Sequence, residues 1–431
     1  MKSALALFGG PKAVTATVPP WPVLTPEDES VVIDTLRGTG RDVIEAGGAI
    51  AALEQAFAEY HGTQHCISTN AGTAALHLAV AVSGVEPGDE VITSPYTWGA
   101  TVACILHANA IPVFADIEEA TLNLDPESVR ACLTDRTRAI VVVHIYGVPA
   151  DMDAIMQIAE EHDLIVIEDC AQAHGAMYKG RKVGSIGHMG CFSFQASKHI
   201  PGIEGGAMVT DVEDFYQHAV LMGMHPARQQ TQVADEGWRR YVDSTGWNYR
   251  IHPLAAALVK NRLGLLDERN RFRNQNVLRF AELVDDIPGV QVLRAPEGSF
   301  HTYHMVPIRY DADELGGLPR EKFVQAANAE GCGLYSYVYT PLHLRARFQD
   351  HYFYGRGCPW TCGHASRMVT YSEGDCPVAE KWAREHELMI FGGGLCGDAD
   401  KYLSQVANGL RKAAENADAV AQWEPAEEAA S

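Results

Sequence analysis

Long apolar runs, basic blocks and paired cysteines are what this 431-residue sequence has little of. No stretch reaches the roughly 18 consecutive uncharged apolar residues of a membrane-spanning helix, so no such helix is expected. No block of about five or six basic residues offsets the formal net charge of −21, so neither nucleic acid nor an anionic membrane is an expected partner. An anionic ligand must then be held by local donors. The segment Met1 to Phe8 carries one basic residue and too short an apolar stretch for a secretory leader. Gly9-Gly10-Pro11 ends it, and the chain reads as cytoplasmic. Its ten cysteines are scattered, as suits reduced thiols rather than a disulfide framework. Only Cys358-Pro-Trp-Thr-Cys362, with His364 and Cys376 beyond, has a pair at zinc-site spacing, and no second pair follows. It reads as free cysteines in an irregular loop, and no metal is expected.

What is present is a regular alternation of helix and strand patterns between about residues 50 and 220. Ile50–Tyr60 and Thr73–Ser83 carry apolar residues at helical spacing, and so does Asp151–His162. Short β-rich runs lie between and after them: Glu90–Thr93, Ile111–Phe114, Ala139–His144, Leu164–Glu168, Cys191–Phe194 and Ala207–Thr210. Several are apolar without alternation, the pattern of strands covered on both faces. The repetition predicts a mostly parallel α/β sheet with a ligand site beyond the carboxyl ends of its strands. A long charged amphipathic helix is expected over residues 256–285, bridging a large domain (1–255, with its N-terminal arm) to a small α+β domain (286–415). The Ala/Glu-rich end, 416–431, reads as a disordered tail.

Four segments in the first region could carry chemistry, and each has an ordinary structural alternative. Lys198 lies in a Gly/Pro-rich connection between two strands, Ser193-Phe-Gln-Ala-Ser-Lys198-His-Ile-Pro-Gly, where an amine of lowered pKa could form an imine with an aldehyde cofactor. Taken alone it is one surface lysine. Asp169 ends an apolar strand, where its carboxylate could keep a pyridine nitrogen protonated, with Gln172 three residues on; it could equally cap the next turn. Asn70-Ala-Gly72-Thr73-Ala74 opens a helix whose free N–H groups could bind phosphate, or is an ordinary helix start. Trp98 follows a strand and could stack on a flat ring or fill the core.

Taken together, the segments resemble the DegT/DnrJ/EryC1/StrS family of sugar aminotransferases over about residues 10 to 410. Six motifs match in type and order: Asn70–Leu76, Pro95–Trp98, His144–Gly147, Glu168–Gly175, Ser193–Lys198 and Gly246–Arg250. The resemblance implies a fold-type I, aspartate-aminotransferase-like α/β architecture with a seven-stranded sheet, and pyridoxal 5′-phosphate as cofactor. It implies that Lys198 is the Schiff-base lysine, Asp169 the partner of the pyridine nitrogen, Gln172 the contact to the ring oxygen and Trp98 the stacking residue. Gly72, Thr73, Ala74 and Ser193 match the phosphate site. Asn248 matches an asparagine that reaches the neighbouring subunit's phosphate, which implies a homodimer with shared active sites.

Within the family, Leu7-Phe-Gly-Gly-Pro11, Pro20-Trp-Pro22 and Ser193-Phe-Gln195 look closest to the scyllo-inosose aminotransferase and aminohydroxybenzoate synthase branch. The implied reaction carries an amino group from glutamate or glutamine to a keto cyclitol or a nucleotide-linked keto sugar in secondary metabolism. Tyr146 and His343 are candidate substrate residues. One departure stands out: Ile203, in Gly202-Ile-Glu-Gly-Gly206, occupies a position the family gives to Gly. It opens a second reading, a pyridoxal-phosphate enzyme of elimination, decarboxylation or cyclisation on an amino-acid-like substrate. A third, from a different class, is a non-catalytic regulatory protein on the same fold, against which the intact Lys198 and Asp169 argue. The retained Lys198 favours transamination, since a related dehydratase branch has His in its place.

Overall fold

A computed structural model describes residues 4–18, 20–38 and 42–424. Seven strands form its main sheet: β1 (His65–Thr69), β2 (Glu90–Thr93), β3 (Ile111–Phe114), β4 (Thr137–Val143), β5 (Ile165–Asp169), β6 (Met189–Ser193) and β7 (Gly206–Thr210). Their spatial order is β1-β7-β6-β5-β4-β2-β3. Only β7 runs against its neighbours, pairing antiparallel with β1 and β6, while the other pairings are parallel. This is the mostly parallel seven-stranded sheet expected. The Ile-Val-Val-Val run in β4 is buried throughout, because one apolar cluster packs on each face of the sheet.

The helices follow from local sequence. On one face lies α1 (Gly48–His61), which ends on Gly62 in the left-handed conformation. On the other lies α2 (Gly72–Val82), a nearly all-apolar helix buried along its length. The crossover helix α3 (Met152–His162) begins where the Asp151 carboxylate accepts a hydrogen bond from the Ala154 N–H at 3.2 Å.

Beyond the sheet the structure departs from the sequence reading in three places. The bridging helix expected over 256–285 is two, α4 (Pro253–Leu263) and α5 (Leu266–Val284). At Gly264 the chain tightens into a turn in which the Leu265 N–H bonds to the Arg262 carbonyl. The N-terminal arm, assigned with residues 1–255, packs instead on the small region. Leu5 and Val14 enter its core, and the Glu330 carboxylate accepts hydrogen bonds from the Ala6 and Ala13 N–H groups at 2.6 and 2.9 Å. The expected tail includes a helix, Ala417–Ala421, because Val420 is buried in the same core; residues 425–431 lie outside the described residues.

The small region itself centres on an antiparallel sheet of β8 (Val290–Val292), β9 (Met305–Tyr310) and β10 (Glu387–Phe391), in that order. Its buried strands pack with α5, α6 (Arg320–Ala329) and α7 (Asp400–Glu415). The residue before β9, His304, is tied to the main sheet side: its N–H donates to the Tyr146 carbonyl at 2.7 Å.

Candidate active site

The carboxyl ends of the parallel strands open into one cavity of about 380 Å³. It lies where an open α/β sheet receives its ligands. Seven of the residues singled out in the sequence line it: Gly72, Thr73, Trp98, Asp169, Gln172, Ser193 and Lys198.

Asp169 is the last residue of β5. Alternation along the strand sends its neighbour Glu168 to the opposite face, and the two carboxylates have separate tasks. Glu168 is buried and accepts from the Gly184, Ile186 and Gly187 N–H groups at 2.7, 2.7 and 2.6 Å. His144 also donates to it through Nε2 at 2.9 Å, the tautomer fixed by the Ala150 N–H bonding to Nδ1. Burial alone would raise the Glu168 pKa, but these donors bring it below the ordinary carboxylate value. Glu168 therefore pins the strand end. Asp169 faces the cavity, accepting from the Thr101 hydroxyl at 2.8 Å and the Ala171 N–H at 3.1 Å. Burial dominates there and raises its pKa, partly opposed by Thr101, Ala171 and the Lys198 charge.

Lys198 sits in the turn after β6. Its N–H donates to the Gln195 carbonyl at 2.9 Å, and the Trp21 indole N–H donates to its carbonyl at 3.2 Å. The amine lies in the cavity, 3.4 Å from Nε2 of His304. Burial lowers its pKa from 10.5 to about 8, with Asp169 pulling the other way. Roughly a tenth of it is then free amine at pH 7, against well under a thousandth for an ordinary lysine.

The first turn of α2 faces the same space, and no side chain among the described residues caps it. Close approach of chain segments makes glycine necessary: a Cβ on Gly72 would lie 2.7 Å from Ser193 Cβ, and one on Gly206 would lie 2.5 Å from the Ala71 carbonyl oxygen. Trp98 is 64% exposed at the cavity's side, its ring 6.3 Å from that of Tyr337. Gln172 is held at both ends, its Oε1 accepting from the Tyr146 N–H at 2.9 Å and its Nε2 donating to the Tyr337 hydroxyl at 2.8 Å.

Four expected site residues do not line this cavity. Ala74 is buried in the first turn of α2, its N–H bonded to the Ala71 carbonyl. Asn248 is exposed on the surface of the chain, its Oδ1 accepting from Arg250 Nε at 2.9 Å. Tyr146 is fully buried, its hydroxyl bonded to Tyr96 at 2.7 Å and to Glu387 at 3.1 Å; it supports Gln172 through its backbone. His343 is also buried, paired to Glu380 at 2.9 Å. Conversely, Gln195, Glu204, His304 and Tyr337 line the cavity although none of them was expected as a site residue. His304 and Tyr337 lie more than a hundred residues beyond Lys198, and nothing in their local sequence marks them.

A pyridoxal phosphate fits these residues: an uncapped helix start for its phosphate, a buried carboxylate for its ring nitrogen, an amine of lowered proton affinity for its aldehyde. This fold carrying such a site defines a pyridoxal-phosphate-dependent enzyme. The chain belongs to the DegT/DnrJ/EryC1/StrS aminotransferase family, whose pattern matches residues 24–386. It is 37% identical over 344 residues to an L-glutamine:2-deoxy-scyllo-inosose aminotransferase of Streptomyces fradiae, covering 77% of this chain and 80% of that one. A putative L-glutamine:3-amino-2,3-dideoxy-scyllo-inosose aminotransferase of Streptoalloteichus tenebrarius is 33% identical and spans 97% of this chain and all of its own. Among solved structures, 3-amino-5-hydroxybenzoic acid synthase superposes with a TM-score of 0.78 at 25% identity, over 93% of this chain and 99% of that one. DesI, solved in the presence of its TDP-sugar product, gives 0.75 at 27%, over 96% and 97%.

Proposed function

We propose that this chain transfers an amino group from glutamine or glutamate to a keto cyclitol, with nucleotide-linked keto sugars as the neighbouring substrate class, in secondary metabolism. The observation that carries the reading is Lys198, a buried amine of lowered proton affinity, in one cavity with Asp169 and the uncapped start of α2. The names of the inosose aminotransferases support the cyclitol and the glutamine donor.

When bound, the cofactor supplies an aldehyde that bonds to amines and a pyridinium ring that withdraws electrons from that bond. In this reading Lys198 would hold the aldehyde and, when free, would accept and return a proton at its Nζ. Asp169, braced by Thr101 and Ala171, keeps the ring nitrogen protonated. Gln172, fixed by Tyr146 and Tyr337, faces the ring oxygen. The N–H groups of Gly72 and Thr73, with the Ser193 hydroxyl, would hold the phosphate, and Trp98 would lie against the ring. The exposure of Asn248 fits a homodimer in which it completes the partner's phosphate site. No helix among the described residues is long and apolar enough to cross a membrane, and we take the enzyme to work in the cytoplasm.

The test is spectroscopic. Protein loaded with pyridoxal phosphate should absorb in the visible, lose that band on adding glutamine or glutamate, and regain it on adding a keto cyclitol. A band that no amino donor changes would contradict the transfer.

A further inference from the structure

His304 has no part in the roles above, yet its ring reaches the amine at the centre of them. Its Nε2 lies 3.4 Å from Lys198 Nζ, and both residues line the cavity. The main chain of His304 is clamped on both sides: its N–H donates to the Tyr146 carbonyl at 2.7 Å, and its carbonyl accepts from the Gly392 N–H at 3.1 Å. The ring packs 5.6 Å from that of His199 and edge-on to Phe391 at 6.1 Å. A histidine held this firmly in the wall can orient a flexible four-carbon lysine stem in a way that water cannot.

The protonation state suits an acceptor. Burial drives the His304 pKa well below its ordinary value, and the facing cations and imidazoles push the same way: Lys198, then His174, then Arg273. Both neighbouring imidazoles, His174 and His199, are also shifted down by burial, and the carboxylate facing Lys198 is Asp169. The His304 ring is therefore neutral at working pH, and with its proton on Nδ1 it offers a lone pair at Nε2 to the Lys198 amine.

We propose that His304 is a positioning residue that holds the free Lys198 amine, by an Nζ–H···Nε2 hydrogen bond, aimed into the cavity whenever the lysine is not bonded to the cofactor. The inference rests on the assignment of Lys198 as the cofactor's lysine. It gives the fold a reason to bring the residue before β9 against the turn after β6.

The test uses cofactor-free protein mixed with pyridoxal phosphate, following covalent capture by the visible band and confirming the modified Lys198 peptide after borohydride reduction. Binding of pyridoxine phosphate, an alcohol that cannot bond to lysine, is measured beside it. His304→Leu and His304→Ala, which lack an acceptor, should each capture the aldehyde about fivefold more slowly or worse, with pyridoxine phosphate affinity unchanged within about twofold. His304→Gln, whose amide oxygen replaces Nε2, should recover most of the rate; it serves with either acceptor-free variant should the other fail to fold. Wild-type capture in an acceptor-free variant would overturn the proposal. So would a parallel loss of pyridoxine phosphate binding, which marks a merely structural role. Capture precedes any amino donor, so a protein that captures the cofactor but transfers no amino group would refute the proposed function without touching this result.

Discussion

Lys198 and Ile203, five residues apart, show how one short turn carries both the chemistry and a backbone cost. Lys198→Ala should abolish covalent attachment of the cofactor, seen as loss of the visible band and of the modified peptide after reduction. For the wild-type chain, the pKa near 8 sets the pH dependence. Below it the amine is protonated and cannot attack, so capture of the aldehyde should speed up as pH rises through about 8 and then level off. An ordinary lysine would keep accelerating to beyond pH 10. Ile203 adopts φ of +73° with its side chain 69% exposed, a left-handed conformation costly for a β-branched residue. Ile203→Gly should therefore raise the unfolding free energy by about 1 kcal/mol in denaturant titration. The sequence marked Ile203 as a departure from the family pattern it resembles, and its positive φ is a backbone conformation that favours glycine.

At the scale of elements, ion pairs and buried donors hold the strand ends that shape the site. Glu54 on α1 accepts from the Ser68 N–H and hydroxyl at 2.8 and 2.7 Å, fixing β1 just ahead of the turn into α2. Arg228 pairs with Glu54 at 3.0 and 2.9 Å in a nearly buried contact. Arg228→Ala leaves that carboxylate unpaired in the interior and should cost roughly 3–5 kcal/mol, measured as a lowered denaturation midpoint. Elements whose sequence is locally decisive were legible in advance. Glu90–Thr93 and Ile111–Phe114 form strands with those same ends. Elements decided by distant contacts were not. The helix Ala417–Ala421 depends on Val420 reaching a core built by other segments, and the arm's position depends on Glu330. The same limit governs the site. Lys198, Asp169 and Gly72 lie in motifs with their own spacing, whereas His304 and Tyr337 reach the cavity only through the packing of the small region on the sheet.

For the whole molecule, the net charge of −21 leaves the binding of an anionic cofactor to local donors, and the start of α2 presents backbone N–H groups of that kind to the cavity. The surface exposure of Asn248, against the cavity position of Ser193 and Thr73, is the feature that the homodimer reading explains. If each site takes Lys198 from one chain and Asn248 from the other, a mixed dimer of Lys198→Ala and Asn248→Ala chains contains one intact site and one doubly damaged site. Co-expressed, separately tagged chains should then regain about half the wild-type activity, well above either parent dimer. Sites built within single chains would give no such gain.

The cofactor band of the loaded protein remains the most direct measure of what the chain does. Glutamine or glutamate should bleach it with release of the corresponding keto acid, and a keto cyclitol should restore it while becoming an amine. A band that persists with both donors, or bleaches with release of ammonia or carbon dioxide and no aminated product, would contradict amino-group transfer.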